Sequence, residues 1–260
     1  MKKGKGRAAR AAIFVVGLFC AAAWLLGGAA PLWCEQALDG PAILAKVDDV
    51  MNAPKDQRMR ATLTLTDKDG GTRTRVLEMY QKGAERRLAR FLSPADQKGI
   101  AVLSLPQGVI YLYLPAYKKV KRIASHVKNS SFAGTDFTYD DMEAKRYSAH
   151  YDARLLREEG ESWVLELTPK DPAETENQRL LFWVLRDSFV PVTIEYYNKK
   201  NAATRRLTCG GIRKIDGYWV ASEREMTDLG SGHRSKMTLE EIRFDTGLGD
   251  DMFTTRYLEK

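Results

Sequence analysis

Three cysteines and three histidines in 260 residues leave few groups for metal or thiol chemistry. They stand at Cys20, Cys34 and Cys209 and at His126, His150 and His233, with no CxxC and no pairing at metal-ligand spacing. A zinc module and a disulfide framework are excluded. HExxH, GxSxG and P-loop patterns are absent too. Adjacent carboxylates occur at Asp48-Asp49, Asp140-Asp141, Glu158-Glu159, Glu240-Glu241 and Asp250-Asp251. Neighbours on a strand or helix point apart, so none forms a ready acid/base pair. The expectation is a non-enzyme with no cofactor and no metal.

Acidic residues are missing before Glu35, while Lys2, Lys3, Lys5, Arg7 and Arg10 are all basic. The formal net charge is +7; taking those five from the 41 basic residues leaves a near-balance with the 34 acidic ones. The basic excess therefore belongs to the N-terminus and gives no reason to expect a nucleic-acid partner. An uncharged run from Ala11 to Ala30 follows, so residues 1–34 read as an export signal or an N-terminal membrane anchor. Small residues at Gly28-Ala29-Ala30 offer a cleavage site, with Pro31 unfavourable directly after it. If Cys34 is retained, a Cys34–Cys209 disulfide is open in an oxidising compartment; otherwise Cys209 is a small buried hydrophobe.

What remains reads as one domain over 38–260. Asp39-Gly40-Pro41 starts a helix in which Ile43, Leu44, Val47, Val50 and Met51 form one apolar stripe, ended before Pro54. The period then changes to two: Ala61 to Thr66 alternates apolar residues with threonines, and the turn at Asp67 to Gly71 makes a hairpin with Thr72 to Gln81. Strand candidates continue at Arg86 to Leu92, Ile100 to Leu105 and Val109 to Leu114, then from Ser148 to Phe244, about eleven in all. Strands at this short spacing imply antiparallel pairing in a sheet that curls or closes.

The central stretch runs from Gly108 to Met142. Its strand ends at Pro115; a basic cluster follows (Lys118, Lys119, Lys121, Arg122), and then a loop from Ser130 to Asp141 carrying Phe132, Phe137 and Tyr139. The cluster reads as a solvated strand face or a contact with anionic lipid headgroups. Three aromatics in one loop need apolar cover: they either plug the protein's own core or lid a cavity for an apolar ligand.

YLYLPA at 111–116, K-x-x-RI at 119–123 and SFAGTDFTYDDM at 131–142 resemble the LolA-like outer membrane lipoprotein-sorting protein family. The likeness continues through LELTPK (165–170), FVPVTIEYYNK (189–199), IDGYWVASEREM (215–226) and FTTRYLEK (253–260). It implies a mainly β chain with one or two helices, an incomplete antiparallel β-barrel lidded by helix and loop around a hydrophobic cavity. It implies, further, a monomeric periplasmic carrier of lipoprotein acyl chains or lipid, possessing an inner-membrane transporter and an outer-membrane acceptor as partners. A lipid-binding accessory of an export pump and a protein-interaction or adhesion module stay open as alternatives. The family supplies no transferable ligand residues, so the candidates rest on strand parity and the loop: Leu63, Leu65, Met79, Tyr111, Tyr113, Trp163 and Trp183 for the wall, and Phe132, Phe137 and Tyr139 for the lid.

Overall fold

The computed structural model describes residues 38–173 and 175–260. The expected export segment, with Cys20 and Cys34, lies outside the described residues, and so does the test of a Cys34–Cys209 bridge. Helix α1 (Gly40–Met51) begins where Asp39 accepts a hydrogen bond from the Ala42 N–H at 2.9 Å, with Pro41 in the first turn. Ile43, Leu44 and Val47 are buried, which stabilises the helix on the sheet by about 1.5–3 kcal/mol per side chain. A Cβ on Gly40 would lie 2.7 Å from the Ala153 carbonyl oxygen, so only glycine lets the helix start press onto the strand beneath it.

Six strands form a first antiparallel meander: β1 (Asp56–Thr66), β2 (Thr72–Lys82), β3 (Arg86–Ser93), β4 (Ala101–Leu105), β5 (Val109–Leu114) and β6 (Lys119–Arg122). Seven more form a second: β7 (Tyr151–Glu159), β8 (Ser162–Pro169), β9 (Arg179–Leu185), β10 (Pro191–Tyr197), β11 (Ala203–Ile215), β12 (Tyr218–Asp228) and β13 (Arg234–Phe244). β13 pairs with β1, which joins both meanders into one thirteen-stranded sheet with β6 and β7 at its edges. The sheet is not closed into a barrel. The expected half-open antiparallel shell is therefore the architecture found.

Two local expectations need correction. β6 pairs with β5, although its sequence Lys-Val-Lys-Arg reads as a solvated basic face and is not counted among the expected strands. Exposed lysines are what an unpaired sheet edge tolerates best, so charge masks the strand. The strand expected from Ser148 starts at Tyr151, because Asp48 of α1 accepts the N–H groups of Tyr147 (2.7 Å) and Ser148 (2.8 Å). That capping makes residues Tyr147–His150 a helical turn, α2.

Strand parity divides the side chains between two faces. The inner face carries Met59, Ala61, Leu63 and Leu65 of β1, Leu77 and Met79 of β2, and their counterparts, in one core with α1. The segment 123–150 leaves edge strand β6, crosses this inner face and arrives at edge strand β7, burying Phe132, Phe137 and Met142 in the same core. On the outer face Leu88, Ala101 and Leu103 are covered by Phe253 and by Leu258 of the C-terminal turn α3 (Thr255–Leu258).

Candidate functional site

Between the inner face and its two-part cover lies a cavity of about 170 Å³. Its wall comes from β1, β2, β3 and β9 to β13; its roof is Val50 and Met51 of α1, Phe137 and Met142 of the crossing segment, and Tyr147 of α2. Six of the eight methionines line it: Met51, Met59, Met79, Met142, Met226 and Met237. Methionine is unbranched, flexible and polarizable, so such a wall adapts to ligands of varied shape. An apolar cavity of about 150 Å³ accepts one benzene ring, and drug-sized ligands need about 300–1,000 Å³. In this closed form the space takes a short apolar group; a whole acyl chain requires the cover to shift.

At one end the apolar wall gives way to charge. Lys145 Nζ lies 2.8 and 2.9 Å from the two carboxylate oxygens of Asp140. Burial works against both charges, but the pairing prevails: Asp140 is held below the usual carboxylate range and Lys145 above the usual lysine value. Lys128 reaches Glu143 at 3.3 Å, and Arg205 reaches Asp141 at 2.5 Å while lying over the Tyr196 ring. The adjacent Asp140 and Asp141 thus serve two different cations. Arg87 differs, donating to Gln81 Oε1 at 2.8 and 3.1 Å and more distantly to the backbone carbonyls of Asp141 and Glu143. A polar cleft of about 790 Å³, bounded by Arg122, Lys128, His150 and Lys170, meets the apolar cavity here; the two share Asp140, Glu143, Lys145 and Tyr151. The larger space has the more polar lining, so the smaller cavity is the candidate for apolar chemistry.

Polar latches tie the crossing segment to the sheet. His233 Nδ1 and Ser235 Oγ lie 2.6 and 2.7 Å from Asp136 Oδ2, and the Asp136 N–H donates to Ser235 Oγ at 3.0 Å. Arg75 of β2 donates to the Ala133 carbonyl at 2.5 Å, and Arg205 to the Asp136 carbonyl at 3.1 Å. Asp141 closes the loop by accepting the Thr138 N–H at 2.8 Å.

The candidate residues separate into groups. Met79 and Phe137 line the cavity. Leu63 and Leu65 are buried in the inner core beside it, Phe132 stacks on Phe91 with ring centroids 5.4 Å apart, and Tyr139 meets Phe132 edge-on at 5.7 Å. Trp163 packs on Phe189 at 5.4 Å, at the rim of the same core. Tyr111 and Tyr113 lie on the outer face against the C-terminal tail. Trp183 points outward too and donates to Glu159 at 3.2 Å, while its neighbours Phe182 and Val184 face in. The missed wall residues are Met59, Met226, Met237, Leu239 and Ile242; the signal was methionine recurring at inward parity. Arg87 and Arg224 were missed because an arginine among other charged residues of a strand, beside Arg86 or between Glu223 and Glu225, reads as solvated. Among the described residues, no group of three His, Cys, Asp or Glu side chains is placed to hold a metal, and no helix is long and apolar enough to cross a membrane.

A family model described as "Uncharacterized protein" matches residues 83–260. The chain belongs to that family. Its LolA-like character, first carried by the motifs, is borne out by solved structures. A DUF1329 family protein from Desulfovibrio piger superposes with TM-score 0.79 at 28% identity, covering 84% of this chain and 97% of that one. A putative outer membrane lipoprotein-sorting protein domain from Vibrio parahaemolyticus gives 0.77 at 28% identity, covering 85% and 98%. A LolA superfamily protein from Nitrosomonas europaea gives 0.72 at 22% identity, covering 85% and 100%, a likeness of fold. A search of curated proteins by sequence finds no match.

Proposed function

We propose that this LolA-like chain is a non-catalytic periplasmic carrier that shelters acyl chains of lipoproteins or lipids under its movable cover on the way to the outer membrane. The observation that carries this reading is the methionine-walled cavity beneath a segment held by polar latches and a few apolar side chains. Likeness to a lipoprotein-sorting domain across 85% of the chain supports it. The energies are compatible. Eight methylenes moved from water into the cavity contribute about 6 kcal/mol, against about 1.5–3 kcal/mol for each buried apolar side chain that must be displaced. A sealed, fully packed interior would have no such exchange to offer. The signal-like N-terminus supports an exported location, and handing cargo onward requires a donor and an acceptor membrane component.

Native mass spectrometry of the purified protein, followed by organic extraction, tests the reading. Co-purifying lipid or acylated peptide, lost on displacing the cover, is the expected result. A protein that stays unliganded after incubation with lipid vesicles and acylated peptides would make it an interaction module instead.

A further inference from the structure

The charge at the end of the cavity does not balance. Asp140 is taken by Lys145, Asp141 by Arg205 and Glu143 by Lys128. Two guanidinium groups on the cavity wall, Arg87 of β3 and Arg224 of β12, have no carboxylate within 4 Å among the described residues. Arg224 makes no hydrogen bond there either, while its chain neighbour Glu223 pairs with Lys236 at 2.7 Å on the opposite face. Arg87 has only neutral acceptors, Gln81 and two backbone carbonyls. Burial, with Arg224 beside it, pulls the Arg87 guanidinium down to about 10, against a smaller opposing pull from Tyr147 and Glu143. It stays charged at neutral pH. With Glu143 offsetting only part of the charge and no carboxylate in contact, two like charges beside an apolar wall are unfavourable until an anion joins them.

We propose that the cavity recognises an amphiphile by its oxyanion head, a carboxylate or phosphate, received by Arg87 and Arg224 while the methionine wall takes the alkyl chain. The inference rests on the carrier reading and narrows it. A guanidinium presents a planar fork of N–H donors that matches either head in a bidentate way. An acyl chain joined to a lipoprotein by an ester or amide brings no such charge at the linkage, so the ligand class is a fatty acid or an acidic lipid. No bond is made or broken; head and chain are held by the pair and the wall.

Binding of a long-chain fatty acid, the alkyl phosphate and the fatty alcohol of equal chain length, measured at pH 7.5 by displacement of a fluorescent probe, tests this. The acid or the phosphate is expected to bind at least tenfold more tightly than the alcohol. A preference for the phosphate points to a phospholipid-type head, one for the carboxylate to a free fatty acid; either supports the proposal. Arg224→Gln and Arg87→Gln should each shrink the anion-to-alcohol ratio at least fivefold, and Arg224→Lys, which keeps charge without the fork, should restore part of it. Because the readout is a ratio, a misfolded variant reveals itself by losing both ligands. Equal affinity for acid and alcohol, or a ratio untouched by Arg224→Gln, overturns the headgroup assignment and leaves the carrier reading standing. No binding of any of the three defeats the carrier reading, and the assignment with it.

Discussion

His233 Nδ1 stands 2.6 Å from Asp136 Oδ2, joining the turn before β13 to the middle of the segment that covers the cavity. Its other ring nitrogen, Nε2, lies 3.2 Å from Asp67 in the β1–β2 turn, so one imidazole bridges two loops and the cover. Removing it takes away one anchor of the covering segment and one contact between turns, and leaves the strand ladders intact. His233→Ala is expected to cost about 1–3 kcal/mol of cover docking, the penalty for a part-buried carboxylate left short of a partner. Hydrogen exchange should rise across 130–142 and stay unchanged in β1 and β13. Equal acceleration in both would show that the cover and the sheet open together.

Phe132 and Phe137 sit five residues apart in one loop and do different work. Phe132 is 2% exposed and stacked on Phe91, so it is a packing residue. Phe132→Ala should lower global stability by about 3–5 kcal/mol, read by denaturant unfolding. Phe137 lines the cavity roof. Phe137→Ala should enlarge the cavity and alter acyl-chain affinity several-fold, at a smaller stability cost because a bound chain fills the gap. Reversed effects of the two variants would exchange their roles.

Much of this was legible in the chain, and the reason is periodicity. The stripe Ile43, Leu44, Val47 and the alternation of β1 follow from burial on one side of an element, which a sequence records directly. Which side faces the cavity is a tertiary fact. Tyr111 and Tyr113 look like wall residues until the C-terminal tail, far along the chain, is seen to cover the outer face. Trp183 fails by one position, since Phe182 and Val184 hold the inward parity. The charged end of the cavity joins β3, β11, β12 and residues 140–145; no local pattern signals such a convergence.

Acid should loosen the protein at a specific carboxylate. Asp56 accepts hydrogen bonds from the N–H groups of Thr246, Gly247 and Leu248 and from the Thr246 hydroxyl, all at 2.8–3.1 Å. Burial alone would raise its pKa; those bonds outweigh it and hold it below the ordinary 3.8. A depressed folded value means the stabilisation is complete above 3.8 and is lost as pH falls through the lower folded value. Asp140 behaves in the same sense through Lys145. Asp56→Asn should cost about 2–3 kcal/mol at pH 7 and flatten the acid limb of stability against pH. An acid limb identical to that of the parent would assign the loss to other carboxylates.

Cys209 gives a reporter for the cavity itself. It pairs with Arg224 across β11 and β12, so both side chains lie on the same face, and both line the cavity. Burial pushes the thiol upward, with Arg224 pulling the other way, so little thiolate is present at neutral pH. Under reducing conditions, modification of Cys209 by a maleimide, followed on its own peptide by mass spectrometry, should be slow and should track opening of the cover. His233→Ala should speed it, since labelling then draws on a larger open population. A saturating fatty acid should slow it about tenfold, because an anion seated at Arg224 lies beside the sulfur. Labelling that responds to the latch variant and ignores the fatty acid would place the ligand elsewhere, while leaving the cover mobile.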